Sequence, residues 1–304
     1  MTENTKALDN ERIGIFGKGG SGKSTVAVLL ARALARHGYD VALLDADSTN
    51  VGLHQALGVE HSATPLLDYF GGMVFSGGAV TCPVDDPTLL PGAELTLEQL
   101  PPQYYARNAE GILFLAAGKI GEQGPGAGCD GPVAKIARDL KLNDFGAHPV
   151  TLVDFKAGFE DSARGAVTSL DRVLVVVDPT QAAMKMARDM KAMVREIKAG
   201  TPPATQHLEF PELAELAKRL FWEARIEDVH FVLNKVGDKE TEDYMRQQLA
   251  QEGIEPLGAI RRDASISRAW LRGEPIAEDG IDHDADHIVE ALEAAQRAHS
   301  PAPA

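Results

Sequence analysis

The chain has 304 residues and a formal net charge of −15, with 44% hydrophobic and 25% charged residues. That balance supplies a large core and argues against a protein that coats DNA or binds anionic lipid, since both need a basic surface to displace counterions. Only Cys82 and Cys129 are cysteines, which excludes a disulfide framework and a four-cysteine zinc site from one chain. No apolar run approaches the roughly 20 residues that cross a bilayer, and Met1–Glu11 lacks the apolar centre of a signal peptide. A cytoplasmic protein is expected.

In chain order, Arg12–Phe16 reads as a buried strand that runs into glycines. Val26–Arg36 has apolar residues at helical spacing and stops at Gly38, and Val41–Leu44 is a second buried strand ending at Asp45. Strand, glycine loop, helix and strand make a βαβ unit, which implies a parallel sheet with a right-handed crossover. Further short apolar runs lie at Gly111–Ala117, Val150–Val153, Arg172–Val177, His230–Leu233 and Glu255–Ile260. Helical patterns fall at about 132–140, 181–198, 211–224, 240–252 and 284–298. The fold predicted is α/β: a single doubly wound, mostly parallel sheet with helices on both faces. It spans 12–280, and 281–304 adds a C-terminal helix and a disordered tail. Residues 59–108 and 200–228 break the alternation and read as insertions, the first as a lid or partner surface near the site.

Gly17-Lys18-Gly19-Gly20-Ser21-Gly22-Lys23-Ser24-Thr25 fits G-x-x-x-x-G-K-[ST] between a strand and a helix. Gly17, Gly19, Gly20 and Gly22, with Ser21, let backbone N–H groups converge on phosphate oxygens at a helix N-terminus. Lys23 is expected to reach the β- and γ-phosphates, Ser24 to bind Mg²⁺ and Thr25 to contact the α-phosphate. Lys18 is not part of the general pattern. The version K-G-G-x-G-K-[ST] resembles the deviant Walker A loop of the MinD/ParA and nitrogenase iron protein ATPase superfamily, P-loop NTPases of the SIMIBI type. The resemblance covers about residues 12–275 and is strongest to the carbon monoxide dehydrogenase accessory, nickel-inserting ATPases. It implies that Lys18 crosses a homodimer interface to the partner's ATP, placing charge where negative charge develops.

Two more strands end in aspartates, where ligands sit in such sheets. Asp45-Ala46-Asp47 resembles the family's switch I, which implies that Asp47 positions the attacking water and Asp45 supports the Mg²⁺ shell. Asp154 ends an apolar strand as a Walker B carboxylate for Mg²⁺, and Asp154-Phe155-Lys156-Ala157-Gly158-Phe159-Glu160 resembles switch II. Lys156 has no evident reason. Asn234-Lys235, at the end of a late strand, matches the position that reads adenine, and the N-K-x-D guanine pattern is displaced by one residue. ATP is therefore expected over GTP. Arg261-Arg262-Asp263 stands where the family usually has a proline-containing loop beside the base.

Gly126-Ala127-Gly128-Cys129-Asp130-Gly131 resembles cluster- or metal-binding segments of the relatives, but the second cysteine of a C-x-C would stand at Gly131. A symmetric dimer would bring two Cys129 thiolates to its axis, a possible Ni or Zn site. Cys129 as a plain buried cysteine, as a transition-metal ligand and as a cluster ligand helped by Cys82 all remain open. His283 and His287, at i and i+4, read either as a metal pair or as part of an acidic helix start. The functional expectation is a homodimerising, Mg²⁺-dependent ATPase that acts on a metalloenzyme client, with neither nucleic acid nor membrane as partner. The alternatives are a ParA/MinD-like positioning or partitioning ATPase and an ATP-gated reductase component.

Overall fold

The computed structural model describes residues 5–118, 130–158, 165–200, 210–277 and 280–299. Their elements are β1 (Arg12–Gly17), α1 (Lys23–Arg36), β2 (Asp40–Ala46), α2 (Leu53–Leu57), α3 (Leu66–Tyr69), β3 (Glu94–Thr96), β4 (Ala106–Arg107), β5 (Leu113–Ala116), α4 (Gly131–Asp139) and β6 (Lys141–Asn143). There follow β7 (Pro149–Phe155), β8 (Arg172–Val177), α5 (Gln181–Lys198), α6 (Pro211–Trp222), β9 (Asp228–Val236), α7 (Lys239–Ala250), β10 (Gly258–Arg261), α8 (Ala264–Arg272) and α9 (Asp282–His299).

Eight strands form one sheet in the order β10-β9-β8-β1-β7-β2-β5-β4, parallel except for the short edge strand β4. β1 lies between β7 and β8, so the chain reverses its direction of winding beside the glycine loop. Ligands bind at this kind of switch point, at the carboxyl ends of the strands. Alternate residues of the central strands feed two cores. Ile13, Ile15, Leu43 and Leu152 face α1 and α9, while Phe16, Leu44, Val153 and Phe155 face α4 and α5. Gly14 is glycine because a Cβ there would meet Leu170 and Phe16 within the second core. α5 buries Met186 and Met190 in the core, and on its solvated face Lys185 pairs with Asp189 and Arg188 with Glu252. Among the described residues no helix is long and apolar enough to cross a membrane.

Residues 59–108 correct the lid expectation. Leu66, Met73, Val80, Leu90, Leu95 and Leu100 are buried in the same core as Val153, and β3 pairs in parallel with β6 as a small second sheet. Apolar residues scattered through a Gly- and Pro-rich stretch have no period, so their burial was invisible in the sequence. The acidic start of α9 is spent on ion pairs: Asp284 holds Arg261 at 3.0 Å and Asp286 holds Arg36 at 2.9 Å. His287 Nδ1 lies 3.1 Å from Glu290. The tail from 300 onward lies outside the described residues.

At the opposite end of the sheet, Arg172 is fully buried. Its Nε donates to Glu11 at 3.1 Å, a terminal nitrogen donates to Glu227 at 2.7 Å, and the His230 ring lies at 3.1 Å. Gln296 of α9 also accepts from it. Burial raises the Glu11 pKa, and Arg172 opposes that rise. Removing one partner of such a cluster strands the others in low dielectric. Arg172→Ala is expected to lower stability by about 3–5 kcal/mol, measured by urea denaturation.

Candidate functional site

β1 ends at Gly17, and the loop delivers Lys23 to the first turn of α1, three residues earlier than the periodicity placed the helix start. Gly22 has φ +92°, and a Cβ on it would collide with the Asn234 amide. A Cβ on Gly17 would meet Ser21 Oγ at 2.6 Å and the Val176 carbonyl at 2.7 Å. These two glycines are required by space as well as by backbone angle. The loop is clamped from β9: Asn234 Nδ2 donates to the Ser21 carbonyl at 2.8 Å, and Lys235 Nζ to the Gly20 carbonyl at 2.6 Å. The amide expected to read a base thus also holds the phosphate loop. Ser21 Oγ is buried without a hydrogen-bond partner among the described residues.

β2 and β7 are neighbours, and their register sets Asp45 directly opposite Asp154. Ser24 Oγ donates to Asp154 Oδ2 at 2.6 Å, and Asn50 Nδ2 donates to Ser24 Oγ at 2.8 Å. Asp154 Oδ1 is buried and lacks a hydrogen-bond partner among the described residues. Burial, and then the charge of Asp45, push the Asp154 pKa up to about 7, against the Ser24 hydrogen bond and the charge of Lys23. A buried carboxylate with an orphaned oxygen, beside a hydroxyl and a second carboxylate, fits a hard dication. Two carboxylates and a hydroxyl suit Mg²⁺, which keeps several waters and takes the rest of its shell from phosphates. Asp47 stands beyond Asp45 in a turn: its N–H donates to Asp45 Oδ1 at 3.2 Å, and its Oδ1 accepts from the Thr49 N–H and hydroxyl.

Lys18 contacts its own loop and the end of a neighbouring strand. Its Nζ donates to the Gly19 carbonyl at 3.0 Å and lies 3.6 Å from Asp178 Oδ2, at the end of β8. The Gly158 N–H, just past β7, donates to the Gly17 carbonyl at 3.3 Å. Lys156 gains a reason it lacked in the sequence: it pairs with Asp130, whose other oxygen accepts from Ser48 Oγ at 2.9 Å. Asp130 therefore ties the segment after β2 to the segment after β7. Cys129 lies outside the described residues. Cys82 is buried with its side chain against Gly131, where no side chain could fit.

Beside the loop is a cleft of about 330 Å³ lined by Thr25, Asp178, Asn234, Arg261, Asp263 and Ile266, among others. It brings Arg261-Arg262-Asp263 next to Asn234, as the sequence led one to expect. Sequence reasoning placed neither Asn50, Asp178 nor Trp270 in the site, and read Asp130 only within the cysteine segment. Asn50 closes a run of polar residues after β2 and could have been noticed there. Asp178 and Trp270 reach the site through tertiary packing and leave no local signal.

The chain is 28% identical over 267 residues to the carbon monoxide dehydrogenase accessory protein CooC of Rhodospirillum rubrum, covering 86% of this chain and 88% of that one. It is 27% identical over 270 residues to an uncharacterised ATP-binding protein of Methanocaldococcus jannaschii, covering 87% and 93%. In fold it is similar to the septum site-determining protein MinD complexed with Mg-ADP from Pyrococcus horikoshii, with a TM-score of 0.57 at 19% identity, covering 95% and 97%. Residues 15–276 match the CobQ/CobB/MinD/ParA nucleotide binding domain, and the chain belongs to that family.

Proposed function

We propose that this chain is an Mg²⁺-dependent ATPase that forms a face-to-face homodimer on ATP, opens on hydrolysis, and serves the maturation of a metalloenzyme. The observation that carries the reading is the convergence of the glycine loop, Ser24, Asp45 and Asp154 at one switch point, with Lys18 parked at its rim. Loop N–H groups, Lys23 and Thr25 hold the phosphates, and Asn234 with the Arg261–Asp263 segment flanks the base. Ser24, Asp45 and Asp154 would hold Mg²⁺, which when bound neutralises phosphate charge. Lys18 leaves Asp178 to meet the partner's γ-phosphate. Asp47 orients water, a role that needs placement rather than a shifted pKa. The Gly158 N–H exchanges the Gly17 carbonyl for the γ-phosphate, and the Lys156–Asp130–Ser48 tie carries that movement to the segment after β2. Phosphate release from Mg-ATP, exceeding that from Mg-GTP, tests the activity; no release with either would end the reading.

The client assignment draws support from the likeness to the R. rubrum accessory protein. A symmetric dimer would bring two Cys129 thiolates together for Ni or Zn. Anaerobic metal analysis is expected to find metal bound by the ATP-loaded wild type and lost from Cys129→Ala. Equal metal in the two proteins would contradict the site. Salt-sensitive DNA binding with ATP would instead favour the positioning alternative, against the net charge of −15. A brown, iron-containing preparation would favour the reductase.

A further inference from the structure

Trp270 bonds the last residue of the phosphate-loop motif. Its indole Nε1 donates to Thr25 Oγ1 at 2.9 Å. Its ring packs on Gly52, where a Cβ would come within 3.1 Å of it. Gly52 follows Asn50, whose amide nitrogen donates to Ser24 and whose Oδ1 accepts from the Gly52 N–H at 3.3 Å. One indole therefore touches both the loop threonine and the segment that reaches the Mg²⁺ ligand. The helix that carries it, α8, starts at the nucleotide cleft. Asp263 caps that helix through the Ser265 N–H at 2.6 Å, and Asp263, Ile266 and Ser267 line the cleft. Ala269 is the only residue of α8 that is buried outright, so Trp270 is a principal tie between this helix and the body.

A hydroxyl has one proton and two lone pairs. When Thr25 Oγ1 accepts from the indole, one lone pair is used and the proton is left to donate to an oxygen anion. The hydrogen bond thus fixes Thr25 as a donor toward the loop's ligand, at a distance no phosphate-binding motif specifies. We propose that Trp270 is a positioning residue for the nucleotide phosphates: it orients the Thr25 hydroxyl as a donor and backs the 47–52 segment, so that filling the cleft and ordering the phosphate site are coupled through α8. This rests on the nucleotide reading of the loop.

The test is a double-mutant cycle for Mg-ADP binding, measured by calorimetry. Trp270→Phe is expected to weaken binding roughly five- to tenfold, the size of one lost hydrogen bond. In a Thr25→Val background the same change is expected to cost less than about twofold, because the bond is already gone. A full and additive loss in both backgrounds would show a merely structural role and overturn the proposal. A second measurement does not depend on the folding of these variants. Trp222 is exposed and bonds the Gly200 carbonyl at 2.9 Å, and it is the only other tryptophan. Trp222→Phe therefore leaves Trp270 as the sole tryptophan, read with excitation that spares the tyrosines. Its fluorescence is expected to change on adding Mg-ADP, and an unchanged spectrum at saturating nucleotide would overturn the proposal. If the wild type binds no nucleotide, the reading of the loop fails first, an outcome distinct from binding without coupling.

Discussion

Lys18→Ala is expected to abolish the proposed ATP-driven dimerisation while leaving Mg-ATP on the monomer with affinity within about threefold of wild type. The expectation follows from where the two loop lysines lie. Lys23 is buried in the first turn of α1, beside the carboxylates, and Lys18 is directed away from them to Asp178 at the end of β8. A lysine held by a partly exposed ion pair loses little when it moves, since such pairs contribute about 0–1 kcal/mol. It gains much if it meets a partner's γ-phosphate in a site closed to water. Hydrolysis in Lys18→Ala should fall about 10³-fold, in the range found for charges supplied in trans to phosphoryl transfer. Lys23→Ala is different in kind: it loses nucleotide binding first and dimerisation as a consequence. Equilibrium binding and light scattering on the two variants separate these outcomes.

Asp47→Asn is expected to keep the proposed dimer and to stop hydrolysis. Asp45 and Asp154 are buried at paired strand ends, whereas Asp47 is the outer carboxylate of the turn, bonded to Thr49. Asparagine preserves the size and the turn-forming carbonyl but removes the charge that orients water. Turnover is expected to fall about 10²- to 10⁴-fold with ATP still bound. Single-turnover phosphate release and the dimer lifetime measure this directly. Loss of ATP binding in Asp47→Asn would place the residue in the Mg²⁺ shell instead.

The features that were readable in the sequence have local causes. The glycine loop is legible because a φ of +92° at Gly22 admits few residues, and because the loop must join a strand to a helix. Asp45 and Asp154 are legible because a continuous apolar strand ending in a carboxylate is rare without a purpose. The mostly parallel sheet followed from the βαβ alternation. What was not readable is long-range. The burial of 59–108 depends on side chains with no periodicity packing beside β5 and α4. Lys156 found its partner in Asp130, 26 residues away, and Lys18 found Asp178 at the end of another strand. Trp270 reaches Thr25 across 245 residues of chain. Asn234 shows the intermediate case: its place at the end of β9 was foreseen, but its bond to the Ser21 carbonyl makes it a brace for the loop as well.

Light scattering of the wild type and Lys18→Ala, each with and without Mg-ATP, tests the central claim most directly. The account predicts that the wild-type mass doubles with Mg-ATP and reverts as ATP is consumed, and that Lys18→Ala stays monomeric with nucleotide bound. A Lys18→Ala protein that dimerises with ATP as the wild type does would contradict the exchange of this lysine between subunits.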